Sequence, residues 1–477
     1  MENRRSKCLK SINEAEWPPQ HGVFLKKRQI SVIKARNVAH MTKTGKIGVL
    51  GGGISGLTFA NLVKNSEVLE KEQVFGGLMR SMRFDDYTFD LGSHIIFSKN
   101  TEVLNFMVGL LGHNFIKHRR NTAIFYKGLK VKYPFENGLA DLPRTEAIEC
   151  GEEYAAAYEK RERGEVPPPK NFKEWMLYRF GKAITDKYLY PYNRKVWDYP
   201  PEKMDIFWVE GRVPQPPLED VMKAARGEPT EGYTQQLNFY YPARGGIQAV
   251  TDSLAERIPE ARRAAGFEIK KIRKEDGKWF VKDGRNPERE YSQIVNTLHP
   301  LDFLAAYEGV PKEVKGAAAA LKWNSVYLVM LGIAKKKMSD LHWAYIPDSN
   351  ILPNRISFPS NMSPKSAPSK HSALLAEITF RPDGEKAKMK EKEIIERTID
   401  DLHGMKILDK KDIACAKLTT AKYAYVVYDL DYKTNMQVIE TFAKEGGITL
   451  LGRWGEFGYY NSDKCVEHAM AASKNFL

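Results

Sequence analysis

Apolar and polar positions follow two periods along this chain, and the changes of period mark its elements. Ile47–Leu50 is a short apolar run. Leu57, Phe59, Ala60, Leu62 and Val63 then recur at helical spacing, and a second apolar run ends at Glu70. Residues 101–112 repeat the helical pattern with Val103, Leu104, Phe106, Met107 and Leu110. Residues 123–135 read as a hairpin, with Lys127-Gly128 as its turn. Residues 139–163 are Ala/Glu-rich and helical, and Pro167, Pro168 and Pro169 stop them. Asn171 caps the next helix, where Phe172, Trp175, Met176, Tyr178 and Phe180 share the apolar side; 181–190 read as helix again. Short strands are expected at 267–271, 278–282 and 292–296. Strands then dominate at 325–334, 343–346, 355–358, 373–380 and 413–428, interrupted by one helix at 391–404. A last apolar strand at 448–453 precedes a helix carrying Val466, Ala469 and Met470. There is no internal repeat.

The link between the first strand and the first helix carries chemistry. It reads Gly51-x-Gly53-x-x-Gly56, with Ile54 and Ser55 opening the helix. Gly51 makes the tight turn, Gly53 admits a pyrophosphate close to the backbone, and Gly56 lets helix and strand pack. The helix N-terminus offers free N–H groups to the phosphates. Glu70, nineteen residues after Gly51 at the end of the next strand, suits a ribose diol. The pattern predicts a dinucleotide site. Gly76-Gly77 and Arg80 follow, then Phe89-Asp-Leu-Gly92-Ser93-His94. This extension resembles flavoproteins of the glutathione-reductase-like FAD class and is unlike NAD dehydrogenases. Near the C-terminus, Gly452-Arg453 ends a strand and Asn461-Ser462 opens a helix, where such flavoproteins hold the ribityl chain and pyrophosphate.

The expected fold is therefore α/β: a Rossmann-like FAD domain with a helical insertion and an antiparallel β-sheet domain. The FAD domain is assigned to 45–100, 240–310 and 445–477, the mainly helical substrate domain to 101–239, and the sheet domain to 311–444. The chain has 477 residues, more than one core can organise. No apolar run approaches the ~20 residues of a membrane span. Cys8, Cys150, Cys415 and Cys465 lie far apart, which gives no disulfide framework or metal motif and suits a cytoplasmic location. Of the net charge of +14, half comes from residues 1–44, where ten Lys or Arg face three Glu. That segment is expected to be a disordered basic extension. The remaining excess could steer an anionic substrate. No nucleic-acid module is present, and assembly with copies of itself is left open.

Spread motifs then narrow the reading. Gly92-Ser-His94-Ile-Ile-Phe97, Tyr133-Pro-Phe135, Asn171-Phe-Lys-Glu-Trp175, Tyr190-Pro-Tyr-Asn193-Arg-Lys-Val-Trp197, Val209-Glu-Gly-Arg212 and Tyr241-Pro-Ala-Arg-Gly-Gly resemble the UDP-galactopyranose mutase family, in its eukaryotic type. The resemblance covers about residues 46–472. It implies an enzyme that uses reduced FAD as a nucleophile to interconvert pyranose and furanose forms of UDP-galactose or a related UDP-hexose. NADPH or NADH would be the reductant. It also implies residue roles. Arg212 and Arg355 would hold the diphosphate and sugar, with Tyr425 and Tyr459 reaching the same group. Trp343 and Tyr345 precede Arg355 with the family's spacing and line the substrate site. Tyr133, Phe135, Asn193 and Trp197 would form the uridine pocket. His94 would lie over the isoalloxazine with Phe97 beside it, Arg120 would serve the nicotinamide cofactor, and Arg453 the flavin pyrophosphate.

The chain departs from the family at four points. Ser93 replaces a Gly or Pro, and Glu136 stands where a uracil-contacting Gln is usual. Gln236 sits near an expected sugar-contacting Asn, and Gly245-Gly246 runs straight into Ile247. These differences leave the hexose and the base open. The alternative function is an FAD-dependent oxidoreductase of the amine oxidase or protoporphyrinogen oxidase type. A third is a flavoprotein that binds FAD and a partner without catalysis. The arginine and tyrosine set at 212, 355, 425 and 459 favours the mutase, because a diphosphate leaving group needs fixed cations and hydroxyl donors.

Overall fold

Ile47–Leu50 is buried along its whole length and lies inside a five-stranded parallel sheet. Ser66–Leu69 pairs on one side of it and Gln293–Asn296 on the other. Ile448–Leu450 extends the sheet beyond Gln293–Asn296, and Arg263–Ala264 extends the opposite edge. The computed structural model describes residues 45–477 apart from 210, 211, 214 and 233–236. The expected basic extension at 1–44 and Gln236 lie outside the described residues. Strands buried on both faces favour continuous apolar runs, as in Ile47–Leu50; in the neighbouring Ser66–Leu69 the buried Glu67 is paired with Lys46 and Arg289. Helix Ile54–Leu62 covers one face and buries nearly every residue, including Leu57 and Phe59.

The second sheet has seven strands. Its order is Ile413–Val427, Lys322–Ile333, Ser372–Phe380, Arg355–Ser357, Trp343–Tyr345, Thr122–Tyr126 and Leu129–Lys132. All neighbours are antiparallel except Trp343–Tyr345 with Thr122–Tyr126. The hairpin read at 123–135 thus adds to the edge of this sheet. Its turn residues Lys127 and Gly128 both take positive φ, 49° and 79°, as a tight two-residue hairpin turn requires.

Helices Arg144–Glu162, Phe172–Ile184, Tyr190–Trp197 and Leu218–Ala225 form the remaining layer. Asn171 caps its helix by accepting from the Glu174 N–H at 3.0 Å. The helical stretch read from 172 to 190 is interrupted. Gly181 has φ 72°, and a side chain there would run into the carbonyl oxygen of Glu153 on the neighbouring helix. A π-helical turn at Thr185–Leu189 then leads into Tyr190–Trp197.

One expected strand is displaced. Residues 267–271 do not pair as a strand; the strand is Lys271–Glu275. The chain at Phe267 runs past the end of the central sheet instead, with its N–H donating to the Glu70 carbonyl at 2.8 Å, and the Phe267 ring is buried. An aromatic at this point packs whether or not its backbone joins a ladder, so periodicity misplaces the strand. Among the described residues no helix is long and apolar enough to cross a membrane.

Candidate functional site

In an open parallel sheet, ligands sit beyond the strand C-termini where the strand order reverses. Ile47–Leu50 is that point here, since the chain moves to one neighbour next and to the other much later. A cavity of about 1390 Å³ opens there. The residues that follow four of the parallel strands line it: Gly51, Glu70, Thr297 and Leu451. Single small-molecule sites span roughly 300–1,000 Å³. This cavity therefore has room for a dinucleotide and a second ligand.

Its first wall is a glycine cradle. Gly53 faces Gly77 so closely that a Cβ on Gly77 would stand 3.1 Å from the Gly53 Cα. No side chain caps the helix that starts at Ile54, so its first N–H groups face the cavity without a side-chain acceptor. Glu70 accepts from the N–H groups of Gly52 at 2.8 Å and Glu72 at 3.0 Å, which fixes its carboxylate at the cavity edge. Arg453 donates to the Tyr460 and Ala424 carbonyls, while its buried Nε has no partner. Gly76, Arg80, Gly92, Ser93, Asn461 and Ser462 line the same space, with Ile54 and Ser55. An uncapped helix end and an arginine with an unused donor supply donors for a pyrophosphate, and the Glu70 carboxylate is an acceptor suited to ribose hydroxyls, the combination a flavin dinucleotide needs. Gly56 does not line the cavity; a side chain there would overlap the Gly51 carbonyl, so it serves the packing of helix on strand.

The opposite wall comes from the seven-stranded sheet. Tyr345, Arg355 and Glu377 are direct cross-strand partners on three successive strands. Residues in one rung point to one face, so the sheet register alone brings them together. Arg355 makes a two-pronged ion pair with Glu377: Nε to Oε1 at 2.9 Å and Nη2 to Oε2 at 2.5 Å. Nη2 also reaches the Tyr425 hydroxyl at 3.4 Å. Burial works against the Arg355 charge, but Glu377 outweighs it and holds the guanidinium pKa well above its ordinary value. Burial pushes the Tyr425 phenol up, so it stays a neutral donor. Trp343 Nε1 donates to the Tyr345 hydroxyl at 2.9 Å, and Tyr345 packs on Tyr133 with ring centroids 5.1 Å apart.

Residues from turns and loops complete the site. Arg212 lies over Tyr459, its guanidinium carbon 4.1 Å from the ring centroid, and has no acidic partner among the described residues. Arg453 approaches the same ring at 4.9 Å. His94 projects from the loop after Tyr87–Asp90, its Nδ1 3.1 Å from the Gly92 carbonyl. Burial pushes its imidazole pKa down, opposed by Asp90 and Glu377, so it is held neutral. Arg120 stacks over Tyr133 at 5.3 Å.

Three expected substrate residues stand off the cavity. Phe135 is fully buried and stacked on Tyr188 at 4.8 Å, in the core rather than on the wall. An aromatic beside a site and an aromatic in the core look alike in sequence. Asn193 and Trp197 form a backing layer: Trp197 Nε1 donates to Asn193 Oδ1 at 3.2 Å, and the indole meets Tyr459 and Tyr425 edge-on at 5.3 and 6.2 Å. Tyr133, Trp343, Tyr345, Tyr425 and Tyr459 do line the cavity with Arg212, Arg355 and His94. Glu377 lines it too and was not foreseen. The signal was present: it is the one acid in the strand Ser-Ala-Leu-Leu-Ala-Glu-Ile-Thr-Phe, all of it buried, and a buried carboxylate must have partners.

The family model for flavin containing amine oxidoreductases matches residues 54–474. Solved structures similar to this chain include reduced UDP-galactopyranose mutase, with a TM-score of 0.83 at 23% identity over 91% of this chain and 95% of that one. A CLA-producing fatty acid isomerase from P. acnes gives 0.63 at 15%, covering 92% and 100%. Putrescine oxidase bound to putrescine gives 0.61 at 14%, covering 90% and 98%. The fold thus serves isomerases and oxidases alike. Over 68 residues the chain is 46% identical to an uncharacterized protein in the nifH2 3' region of Methanothermococcus thermolithotrophicus; the match spans 13% of this chain and 66% of that protein.

Proposed function

Because the chain belongs to the flavin-containing amine oxidoreductase family, we propose that it is a flavoenzyme whose second cavity wall handles a nucleoside diphosphate sugar, and that it interconverts pyranose and furanose forms of UDP-galactose or a related UDP-hexose. The observation that carries this is Arg212: a guanidinium on the wall of the flavin cavity, seated on Tyr459, with no acid beside it among the described residues. A cation with no acidic partner among the described residues, in the same cavity as Arg355 with its charge matched by Glu377, suits an anionic ligand such as a diphosphate, to which the planar guanidinium offers its donors.

In this reading the parallel sheet is a Rossmann-type support of the glutathione-reductase-like class, and its glycine cradle, Glu70 and Arg453 hold FAD. Reduced flavin, when bound, supplies the nucleophile at the sugar's anomeric carbon. Arg212 and Arg355 hold the diphosphate when it leaves and keep it in place for its return. Tyr425 and Tyr459 donate their hydroxyls to the same oxygens. Glu377 keeps Arg355 ionised and aimed, and the aromatic wall of Tyr133, Trp343 and Tyr345 excludes water from the sugar. His94, kept neutral by burial, presents an imidazole that can donate or accept but adds no charge beside the flavin. NADPH or NADH is the proposed reductant, and the cytoplasm the proposed location.

One feature favours a second reading. The aromatic wall with the Arg355 charge matched by Glu377 is a surface that an organic cation could use, as in an amine oxidase. Arg212 and Arg453 oppose it by repulsion. Dithionite-reduced protein incubated with several UDP-hexoses, followed by product separation, tests the proposal. Furanose product without oxygen consumption supports the mutase. Hydrogen peroxide formed in step with amine turnover would assign it to the oxidases instead.

A further inference from the structure

Glu377 has more than one client. Its Oε1 accepts from Arg355 Nε at 2.9 Å, from the Ser93 N–H at 3.1 Å and from the Ser93 hydroxyl at 2.7 Å, while Oε2 accepts from Arg355 Nη2. It is 1% exposed, so water cannot replace any of these donors. Ser93 immediately precedes His94. The loop's base is fastened separately: Asp90 accepts from Ser81 Oγ at 2.7 Å, the Ile247 N–H at 3.0 Å and the Tyr241 hydroxyl at 2.7 Å. Between base and tip lies Gly92, at φ 110°, a conformation that glycine adopts readily and other residues rarely do. His94 adds only its contact with the Gly92 carbonyl, within the loop. The far end of the loop is fastened by two backbone hydrogen bonds between Ile96 and Tyr240, both 2.9 Å, so it is the tip between Gly92 and Ile96 that the two Ser93 bonds to Glu377 hold.

We infer that Glu377 is a positioning residue that fastens the His94 loop to Arg355, and that the Ser93 hydroxyl is the latch. One carboxylate oxygen is shared between the arginine of the substrate wall and the loop on the flavin side. A ligand that draws the Arg355 guanidinium toward itself changes what that oxygen has left for Ser93. Events at the diphosphate position are then felt at His94 through a single shared acceptor. The identity of the ligand rests on the function proposed above; the latch itself does not.

The test uses the FAD-bound protein and amide hydrogen exchange of the residues 93–95, with the segment 47–57 as an internal reference. Ser93→Ala removes the hydroxyl and keeps the N–H. It should raise exchange in 93–95 at least tenfold and leave 47–57 unchanged. Ser93→Thr, which restores a hydroxyl, should return exchange to within threefold of the original. Glu377→Gln should behave like Ser93→Ala, and the double variant should exceed the larger single effect by no more than twofold. In a second arm, saturating UDP should change exchange at 93–95 in the original protein, and the change should vanish in Ser93→Ala while dialysis still shows UDP bound. Exchange within twofold of the original in Ser93→Ala overturns the latch. If UDP does not bind the original protein, the mutase reading fails, and the first arm alone decides the latch.

Discussion

The Arg212 guanidinium rests on the face of Tyr459, 4.1 Å from the ring centroid, and Arg453 comes within 4.9 Å of the same ring. Tyr459 is thus the floor on which Arg212 stands, in addition to the hydroxyl donor we propose it to be. A cation–π contact of this kind is worth roughly 0.5–2 kcal/mol depending on solvation. Tyr459→Phe keeps the floor and loses the hydroxyl; Tyr459→Ala loses both. UDP affinity by calorimetry should fall by roughly tenfold more for Ala than for Phe. Equal losses would mean that the hydroxyl alone matters.

The two cavity arginines should fail differently. Arg212→Ala removes a cation that no protein acid needs among the described residues, so stability should hold while turnover falls by about 10²–10³, the usual effect of removing one fixed transition-state donor. Arg355→Ala also strands Glu377, whose side chain is 2% exposed. It should cost about 3 kcal/mol of stability, the low end for breaking a buried pair because Arg355 keeps 20% of its own side chain exposed. Adding Glu377→Gln should restore part of that stability and none of the turnover. Denaturation curves and product assays on the same samples separate the two behaviours.

Gly53 and Gly56 offer a clean contrast between binding and folding. A Cβ on Gly53 would meet only the Gly77 Cα, at 3.9 Å, and Gly53 has an ordinary φ of −78°. Gly53→Ala should therefore fold normally and lose FAD, because the methyl group occupies the space of the cofactor rather than of the protein. Gly56→Ala drives a methyl into the Gly51 carbonyl and should fold poorly with or without FAD. Thermal melts of cofactor-stripped protein, set beside flavin absorbance after reconstitution, distinguish these outcomes.

Glu136 is buried with no cationic partner among the described residues, and burial pushes its carboxyl up to about 7. The folded state then holds a proton that the unfolded chain has released, across the window from about 4.5 to 7. Stability from this group is complete below that window and is lost as pH rises through it. Glu136→Gln removes the loss. The variant should match the original protein near pH 4.5 and exceed it by up to about 3 kcal/mol at pH 8. A constant difference at both pH values would show that the side chain has a partner in solution.

What the sequence makes legible follows from distance along the chain. The glycine turn, Glu70 and the strand before them are read correctly because all their information lies within about one βαβ unit. Helix Glu391–Gly404 and the long strand that bears Tyr425 declare themselves by periodicity alone, and the short strand Arg355–Ser357 lies within the expected 355–358. Phe135 is placed on the wrong side of a boundary, since burial in a core and burial against a ligand leave the same apolar mark. The Ser93–Glu377 contact joins residues 284 positions apart and depends on sheet register, which no local pattern carries. Ser93 looks in sequence like a departure from the family; in the fold it is the residue that gives Glu377 its second task.

The parallel sheet imposes an order of events on the making of the protein. Ile47–Leu50 finds one neighbour in the middle of the chain, and that neighbour finds its own in the last strand, Ile448–Leu450. Such pairings have to wait for loop closure across hundreds of residues and are slow to form. A growing chain on the ribosome can complete the hairpins and helices that lie between these strands while the parallel sheet still lacks an edge. Flavin capture by nascent chains is then expected to lag far behind synthesis, and the supply of free cofactor to set how much of the newly made protein escapes quality control.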